Sequence, residues 1–417
     1  MKKNILLKKV RIVDEGHSDN NKVLDILIEN GIIKKIGTNI RNPNGVEVFQ
    51  EKGAHVSIGW MDIGVQIGEP GYEHREDLKS ITKAAIKGGY TAIAAYPNTH
   101  PVIQDKTSVQ FLKSFSKNNP VEIFAIGALS KDAKGTEITE MYDMHQNGAI
   151  AFSDGDKSIQ SAAVMLRSLE YVKAFGGLVM NTPMDYTLSK RGMMHEGATS
   201  TIMGVSGISE IAEIIMIERD LNLLKYSESR LHISNISTEK GIKLIRKAKK
   251  DSLKVTASTS VMNLAFTDKE LENFDSMYKV MPPLRSRLDR KALRKAISSG
   301  ALDIITSNHV PIEEEFKKLE FSYAKFGAIG LETCFALANT TLQKTISLGQ
   351  LIDILSYKPR TLFGLPMPKI EVGAVANLTL FDPTRSWTVT AADFASKSRN
   401  SPLLGMELMG VVFGVVV

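Results

Sequence analysis

A single cysteine in 417 residues, Cys334, excludes an intrachain disulfide and any cysteine-rich zinc site, and reads as a small buried apolar side chain. Histidine is scarce in the pattern that matters for metals. The eight histidines are His17, His55, His74, His100, His145, His195, His232 and His309, and no two stand at the i,i+2 or i,i+4 spacing that puts a chelating pair on one face of a strand or helix. No run approaches the ~18 apolar residues needed to span a bilayer. The opening Met1-Lys2-Lys3-Asn4, with Lys8 and Lys9 close behind, lacks the form of a signal peptide. Charge of one sign is not concentrated either. The net charge of +6 is spread along the chain, and the cluster Arg246 to Lys250 reads as a solvated helix end rather than a nucleic-acid patch. What is present, 43% hydrophobic and 24% charged residues, fits a globular cytoplasmic protein with neither membrane nor nucleic acid as partner.

The length suits one large α/β barrel with a modest second domain. Strand-like runs open the chain at Ile5 to Leu7, Leu24 to Glu29 and Gly31 to Ile36, with Asn30-Gly31 as a hairpin turn. They return at Ala376 to Phe381 and Gly410 to Val417, so residues 1–55 and 366–417 are expected to share a small β-sandwich domain. Between them, residues 56–365 alternate apolar runs with helical periodicity, the pattern of repeated βα units. Leu78, Ile81, Ala84 and Ala85 mark one helix face, Gly88-Gly89 stops it, and Tyr90 to Tyr96 follows as a buried strand. Ile208, Ile211, Ile214, Ile215 and Leu221 read as another inward face, followed by a strand over Arg230 to Ile236. A third helix carries Ile242 and Ile245 ahead of Lys254 to Ala257, and a fourth carries Leu293 and Ile297 ahead of Leu302 to Thr306. So many units in one unbroken region predict a (β/α)8 barrel, with any site at the C-terminal ends of its strands.

Eight collinear segments carry a family resemblance: Gly59-Trp-Met-Asp62, Glu69-Pro-Gly-Tyr-Glu-His-Arg-Glu-Asp77, Pro97-Asn-Thr99, Ala151-Phe-Ser-Asp154, Arg230-Leu-His-Ile233, Pro282-Pro-Leu-Arg285, Phe326-Gly-Ala-Ile-Gly-Leu-Glu-Thr333 and Phe394-Ala-Ser-Lys397. Together they resemble the long bacterial dihydroorotases of the amidohydrolase superfamily. The resemblance implies a zinc-dependent cyclic amide hydrolase that interconverts carbamoyl aspartate and dihydroorotate in pyrimidine synthesis. Such chemistry needs a metal that lowers the pKa of bound water toward ~7, and a base to move the proton.

The sequence departs from that pattern at almost every functional position. The first-strand motif, Asp-x-His-x-His-x-Arg-Glu-Pro-Gly in the family, stands here as Asp62-Ile-Gly64-Val-Gln66-Ile-Gly68-Glu-Pro-Gly71. Glycine offers no ligand, and a glutamine amide is a poor zinc donor beside imidazole. Thr182 and Asn235 align with the family's two later histidines. Asn308, in Asn308-His309-Val-Pro311, aligns with the catalytic aspartate, and an asparagine amide does not titrate near neutral pH. Only Asp154 keeps a carboxylate at a ligand position. Gly68 replaces the arginine that grips the substrate carboxylate, and Met281 replaces an asparagine.

Asn98 and His309 match substrate-contacting positions and are the remnants of the pocket; with the arginine gone, local hydrogen bonds are the favoured reading for both. His232 reads as a satisfied core histidine, Glu73, His74 and Glu76 as residues that cap and solubilise a helix, and Asp62 as a brace for the strand end. The resemblance therefore implies a degenerate member with no catalytic residue and no cofactor. It also implies a structural or regulatory role in a homo- or hetero-oligomer, by analogy with inactive dihydroorotase-like subunits that assemble with aspartate carbamoyltransferase. Two readings stand beside it. One is an active amidohydrolase with an atypical zinc site built on Asp154; the other is an emptied pocket that senses a pathway metabolite.

Overall fold

The structure, a computed structural model, describes residues 4–117 and 119–417. Five strands open the chain: β1 (Ile5–Ile12), β2 (Val23–Glu29), β3 (Ile32–Gly37), β4 (Glu47–Phe49) and β5 (His55–Ile58). Asn30 and Gly31 join β2 to β3 with φ of 53° and 73°, the left-handed pair that a tight hairpin between right-twisted strands requires. The next strands are β6 (Trp60–Val65), β7 (Tyr90–Ala95), β8 (Glu122–Gly127), β9 (Ala151–Phe152) and β10 (Val179–Asn181). A two-stranded ribbon, β11 (Met194–His195) with β12 (Gly207–Ile208), interrupts the series before β13 (Leu231–Ile233), β14 (Val255–Ser260) and β15 (Ile304–Thr306). The last two, β16 (Leu378–Thr388) and β17 (Glu407–Val416), close the chain.

Strands β6, β7, β8, β9, β10, β13, β14 and β15 form one parallel sheet, each beside the next with helices between them. This is a nearly closed eight-stranded barrel. The Gln66 N–H donates to the His309 carbonyl at 3.1 Å just beyond the ends of β6 and β15, and the Asp62 carboxylate in β6 accepts from the Ser307 N–H and hydroxyl. Asp62 is thus the brace that joins the first barrel strand to the last. Burial lifts its carboxyl to about 6 even though Ser307 and the Ile63 N–H stabilise the anion. Strand β7 is buried along its whole length on both faces, as a strand between a packed interior and a layer of helices must be. Met61, Ile63, Ala92, Ala94, Ile126, Met180 and Ile304 fill the interior.

The chain ends build a second sheet of seven strands in the order β17, β16, β5, β1, β2, β3, with β4 on β1. It carries a core of its own from Leu7, Ile12, Ile26, Val56 and Leu378. Trp60 sits where this sheet meets the barrel, with its ring against Tyr90, Phe335 and Phe381.

Helix Leu78–Gly88 follows the expected face. Asp77 caps it through a reciprocal bond with Ser80, and Gly89, at φ 87°, ends it. Helix Ile211–Ser227 follows its expected face in part. Ile214 is buried and Leu221 packs on the core, but Ile208 lies in β12 and Ile211 and Ile215 are exposed, and the inward side also takes in Ala212, Glu213, Met216, Ile217, Asp220 and Leu224. Two buried acids occupy that side because they have partners there. Glu213 accepts from the backbone and hydroxyls of Ser237 and Thr238, and Asp220 from Asn181 and Arg219. A reading based on apolar spacing passes over such positions. No helix among the described residues is long and apolar enough to cross a membrane.

Candidate functional site

The C-terminal ends of the barrel strands surround a cavity of about 330 Å³. Gly64, Gln66, Thr182, Asn235, Met281 and Asn308 all line it, together with Tyr96, Asp156, Met184, Tyr186, Lys190 and Phe326. Each enters from a strand end or the loop after one, the position where a barrel presents side chains without disturbing its packed core.

Gly64 lies within β6 at φ 76°, and a Cβ built there would stand 2.5 Å from Cζ of Tyr96 and 2.6 Å from its hydroxyl oxygen. The Tyr96 ring, which follows β7, therefore fills the space that a side chain at position 64 would need. Tyr96 is buried, and desolvation raises its hydroxyl above the ordinary phenol range while Ser234 and Thr182 pull the other way. Gly68 is closed by backbone: at φ 71°, a Cβ would stand 2.2 Å from the Glu76 carbonyl oxygen.

Asn235 and Asn308 close on each other. The Asn235 amide donates to Asn308 Oδ1 at 3.1 Å and accepts from the Thr306 hydroxyl at 2.7 Å, while the Asn308 amide donates to the Met281 carbonyl at 3.0 Å. Both asparagines hold left-handed backbone, φ 54° and 49°. Thr182 spends its hydroxyl on the Gly155 carbonyl at 3.0 Å. Gln66 donates to Asp156 Oδ2 at 3.1 Å. Asp156 is exposed at its surface, and partial enclosure of its carboxyl in the cleft lifts it above the usual carboxylate range.

Asp154, Asn98 and His309 are placed elsewhere. Asp154 is buried and accepts from the Ser130 N–H and hydroxyl; burial raises its carboxyl despite those bonds. Asn98 donates to the Asp154 carbonyl at 3.0 Å and accepts from the Asp156 N–H at 3.2 Å. His309 has no exposed surface. Its Nδ1 accepts from the Gly330 and Leu331 N–H groups, which leaves the proton on Nε2, 3.4 Å from Glu76. His232 is a neutral core histidine bonded to Thr256 and Ser258, its pKa pushed down to about 3 by burial.

Glu76 corrects an expectation. It is wholly buried and neither caps nor solubilises a helix; Asp77 is the cap. Its carboxylate accepts from the hydroxyls of Ser80 and Ser396, the Lys397 N–H and His309 Nε2. Burial alone would raise it, yet these donors hold it below the usual glutamate range. Glu73 accepts from the Gly71 N–H, and His74 and Arg75 both meet Glu313.

The comparisons bear on this geometry. The family described as Dihydro-orotase-like matches residues 54–241. A dihydroorotase of Geobacter metallireducens is 35% identical over 99% of this chain and 98% of its own length. Another, of Thermoanaerobacter sp., is 38% identical over 98% of this chain and 94% of its own. The chain belongs to the dihydroorotase family. The L-hydantoinase (dihydropyrimidinase) of Arthrobacter aurescens shares the fold, with a TM-score of 0.83 at 23% identity over 98% of this chain and 93% of that one. The D-hydantoinase (dihydropyrimidinase) of Thermus sp. does likewise, with a TM-score of 0.79 at 21% identity over 99% and 94%.

For this dihydroorotase-family chain, the zinc that the resemblance calls for does not fit the residues present. Positions 64, 66, 182 and 235 offer a hydrogen, two amides and a hydroxyl already engaged, and the Tyr96 ring crowds position 64. Among the described residues no group of three or more His, Cys, Asp or Glu converges as metal ligands do. The cavity can hold a molecule, and the carboxylate that lines it is Asp156. Sequence reasoning missed Tyr96, Asp156, Met184, Tyr186 and Phe326. Three of them carried a signal: Tyr96 directly precedes Pro97-Asn-Thr99, Phe326 opens the segment that ends at Thr333, and Asp156 lies two residues beyond Ala151-Phe-Ser-Asp154.

Proposed function

We propose that this chain is a catalytically inactive, metal-free dihydroorotase-like protein of pyrimidine biosynthesis, kept as a structural or regulatory partner of aspartate carbamoyltransferase. The observation that supports inactivity best is the Tyr96 ring set against Gly64, where a ligand side chain has neither a Cβ nor the room for one. Opening a cyclic amide at neutral pH needs an activated water and a proton acceptor. Here Asn308 stands where the acceptor belongs and is tied to Asn235 and the Met281 carbonyl. The partnership is favoured by what survives: the barrel, its closure through Asp62 and the second sheet are intact while the site chemistry is gone.

The deciding measurement is elemental analysis of the tag-free protein purified with zinc present, paired with turnover assays on dihydroorotate and carbamoyl aspartate. The expected result is less than 0.1 zinc per chain and no turnover above the uncatalysed rate. One or two tightly held metals with turnover would overturn the reading. For the partnership, size-exclusion chromatography at micromolar concentration is expected to show co-elution with aspartate carbamoyltransferase; separate elution would remove that part of the proposal.

A further inference from the structure

The cavity keeps free polar groups whose charge is opposite to what an acidic substrate requires. The amides of Asn235 and Asn308 are tied to each other, Thr306 and the Met281 carbonyl, with one N–H of each left over, and Thr182 is spent on Gly155. The anionic group facing the space is the Asp156 carboxylate, with one oxygen on the Gln66 amide and the other free among the described residues, and beside it stand Gln66 Oε1 and the Tyr186 hydroxyl. That hydroxyl accepts from the Ser158 N–H at 2.7 Å, so its own proton is available. The walls are the rings of Tyr96, Tyr186 and Phe326 and the thioethers of Met184 and Met281. Among the described lining residues one is a cation, Lys190, and it is exposed. Lys157, the next residue after Asp156, is exposed as well and tempers its charge.

We propose that this cavity binds a small organic cation, a protonated amine or amidine on a short apolar body, with its nitrogen against Asp156 and Gln66 Oε1 and its body among the rings of Tyr96, Tyr186 and Phe326. The Tyr186 face can attract a cation, whereas the Phe326 ring already carries the Lys279 amine at 4.9 Å, and the Asp156 carboxylate offers a charge-assisted hydrogen bond. An anion entering the same space meets Asp156 as a like charge, with Gly68 where the gripping arginine belongs. A volume of about 330 Å³ suits a ligand at the small end of the usual range. The inference rests on the non-catalytic reading above, because a dihydroorotase must hold a carboxylate.

Calorimetric titration of the full chain with benzamidine, benzamide and benzoate varies charge on one ring and nearly one shape; carbamoyl aspartate is the fourth probe. Benzamidine is expected to bind about tenfold or more tighter than benzamide, with benzoate and carbamoyl aspartate not bound. Asp156→Asn, which keeps an acceptor for Gln66, should remove that preference and leave benzamide within about twofold. Tyr186→Leu, which removes one aromatic wall and the hydroxyl that meets the Ser158 N–H, should weaken benzamidine as well. The proposal is overturned by equal binding of benzamidine and benzamide, by tighter binding of either anion, by indifference to both substitutions, or by no binding of benzamidine at millimolar concentration. Bound zinc with turnover would overturn the non-catalytic reading instead, and elemental analysis reads that independently of the charge order.

Discussion

At position 64 the absence of a side chain and the absence of room for one go together. Left-handed backbone there tolerates glycine alone without strain, and the Tyr96 ring stands within 2.6 Å of where a Cβ would be. Restoring a histidine is therefore not a single-residue repair. Gly64→His is expected to cost about 2–5 kcal/mol, from backbone strain and overpacking together. In a Tyr96→Ala background the overpacking part should disappear, so a double-mutant cycle by urea denaturation should give a favourable coupling of about 1–3 kcal/mol. Additive effects would mean that the ring yields to the new side chain. At positions 182 and 235 the expected departures rest on the sequence, because an asparagine or threonine where the resemblance calls for a histidine is a change of chemistry visible without coordinates. The ring was not legible, since it comes from the next strand and only barrel geometry brings Tyr96 to Gly64.

At the scale of elements, periodicity showed where the helices and strands lie and missed what ties them together. The face Leu78, Ile81, Ala84 and Ala85 is buried as its spacing implies, whereas the inward acids of helix Ile211–Ser227 and the burial of Glu76 depend on partners distant in sequence. Glu76 links the start of helix Leu78–Gly88 to a loop some 320 residues away through Ser396 and Lys397. Phe394-Ala-Ser-Lys397 carried part of the family resemblance, and that was the available signal for the contact. Glu76→Ala strands the Ser396 hydroxyl, the Lys397 N–H and His309 Nε2 at once, while the Ser80 hydroxyl keeps the Asp77 carbonyl. The expected loss is about 2–4 kcal/mol, with faster tryptic cleavage at Lys397 and Arg399 as the loop comes free. Glu76→Gln, which keeps the size and one acceptor oxygen, should fall between. Unchanged cleavage in the alanine variant would mean that the loop is held by other contacts. Because the folded state holds Glu76 below its ordinary pKa, the stability it supplies is present above about pH 4.3 and is lost as pH falls through the lowered value.

For the whole molecule, the two sheets share a junction: Trp60 from the barrel packs on Phe381 from the terminal sheet and on Phe335 from a helix between them. Local changes in proton binding should therefore register in the unfolding of the whole chain. The largest such change near neutral pH is at Lys317, which has 2% of its surface exposed and donates to the carbonyls of Lys279, Lys325 and Gly327. Burial, with Lys279 nearby, pushes its pKa down to about 7, and burial takes Lys279 to about 8. Both amines stay protonated in the unfolded chain up to about pH 10.4. From about pH 7 upward the unfolded state therefore holds more protons than the folded one, and stability must rise with pH across that window. Cys334 works in the opposite sense once the pH passes the ordinary thiol range, because burial raises its pKa. The rise is therefore expected between pH 6.5 and 8.5. Lys317→Met should flatten most of it. The substitution leaves the Lys325 carbonyl without its lysine donor, but the Lys279 and Gly327 carbonyls keep a second donor each, from the Gly327 N–H and the Asn400 amide. Urea midpoints measured at half-unit intervals for both proteins decide the point. A difference curve that stays level from pH 6.5 to 8.5 would mean that Lys317 keeps its proton in the folded state, with the three carbonyls compensating its burial in full.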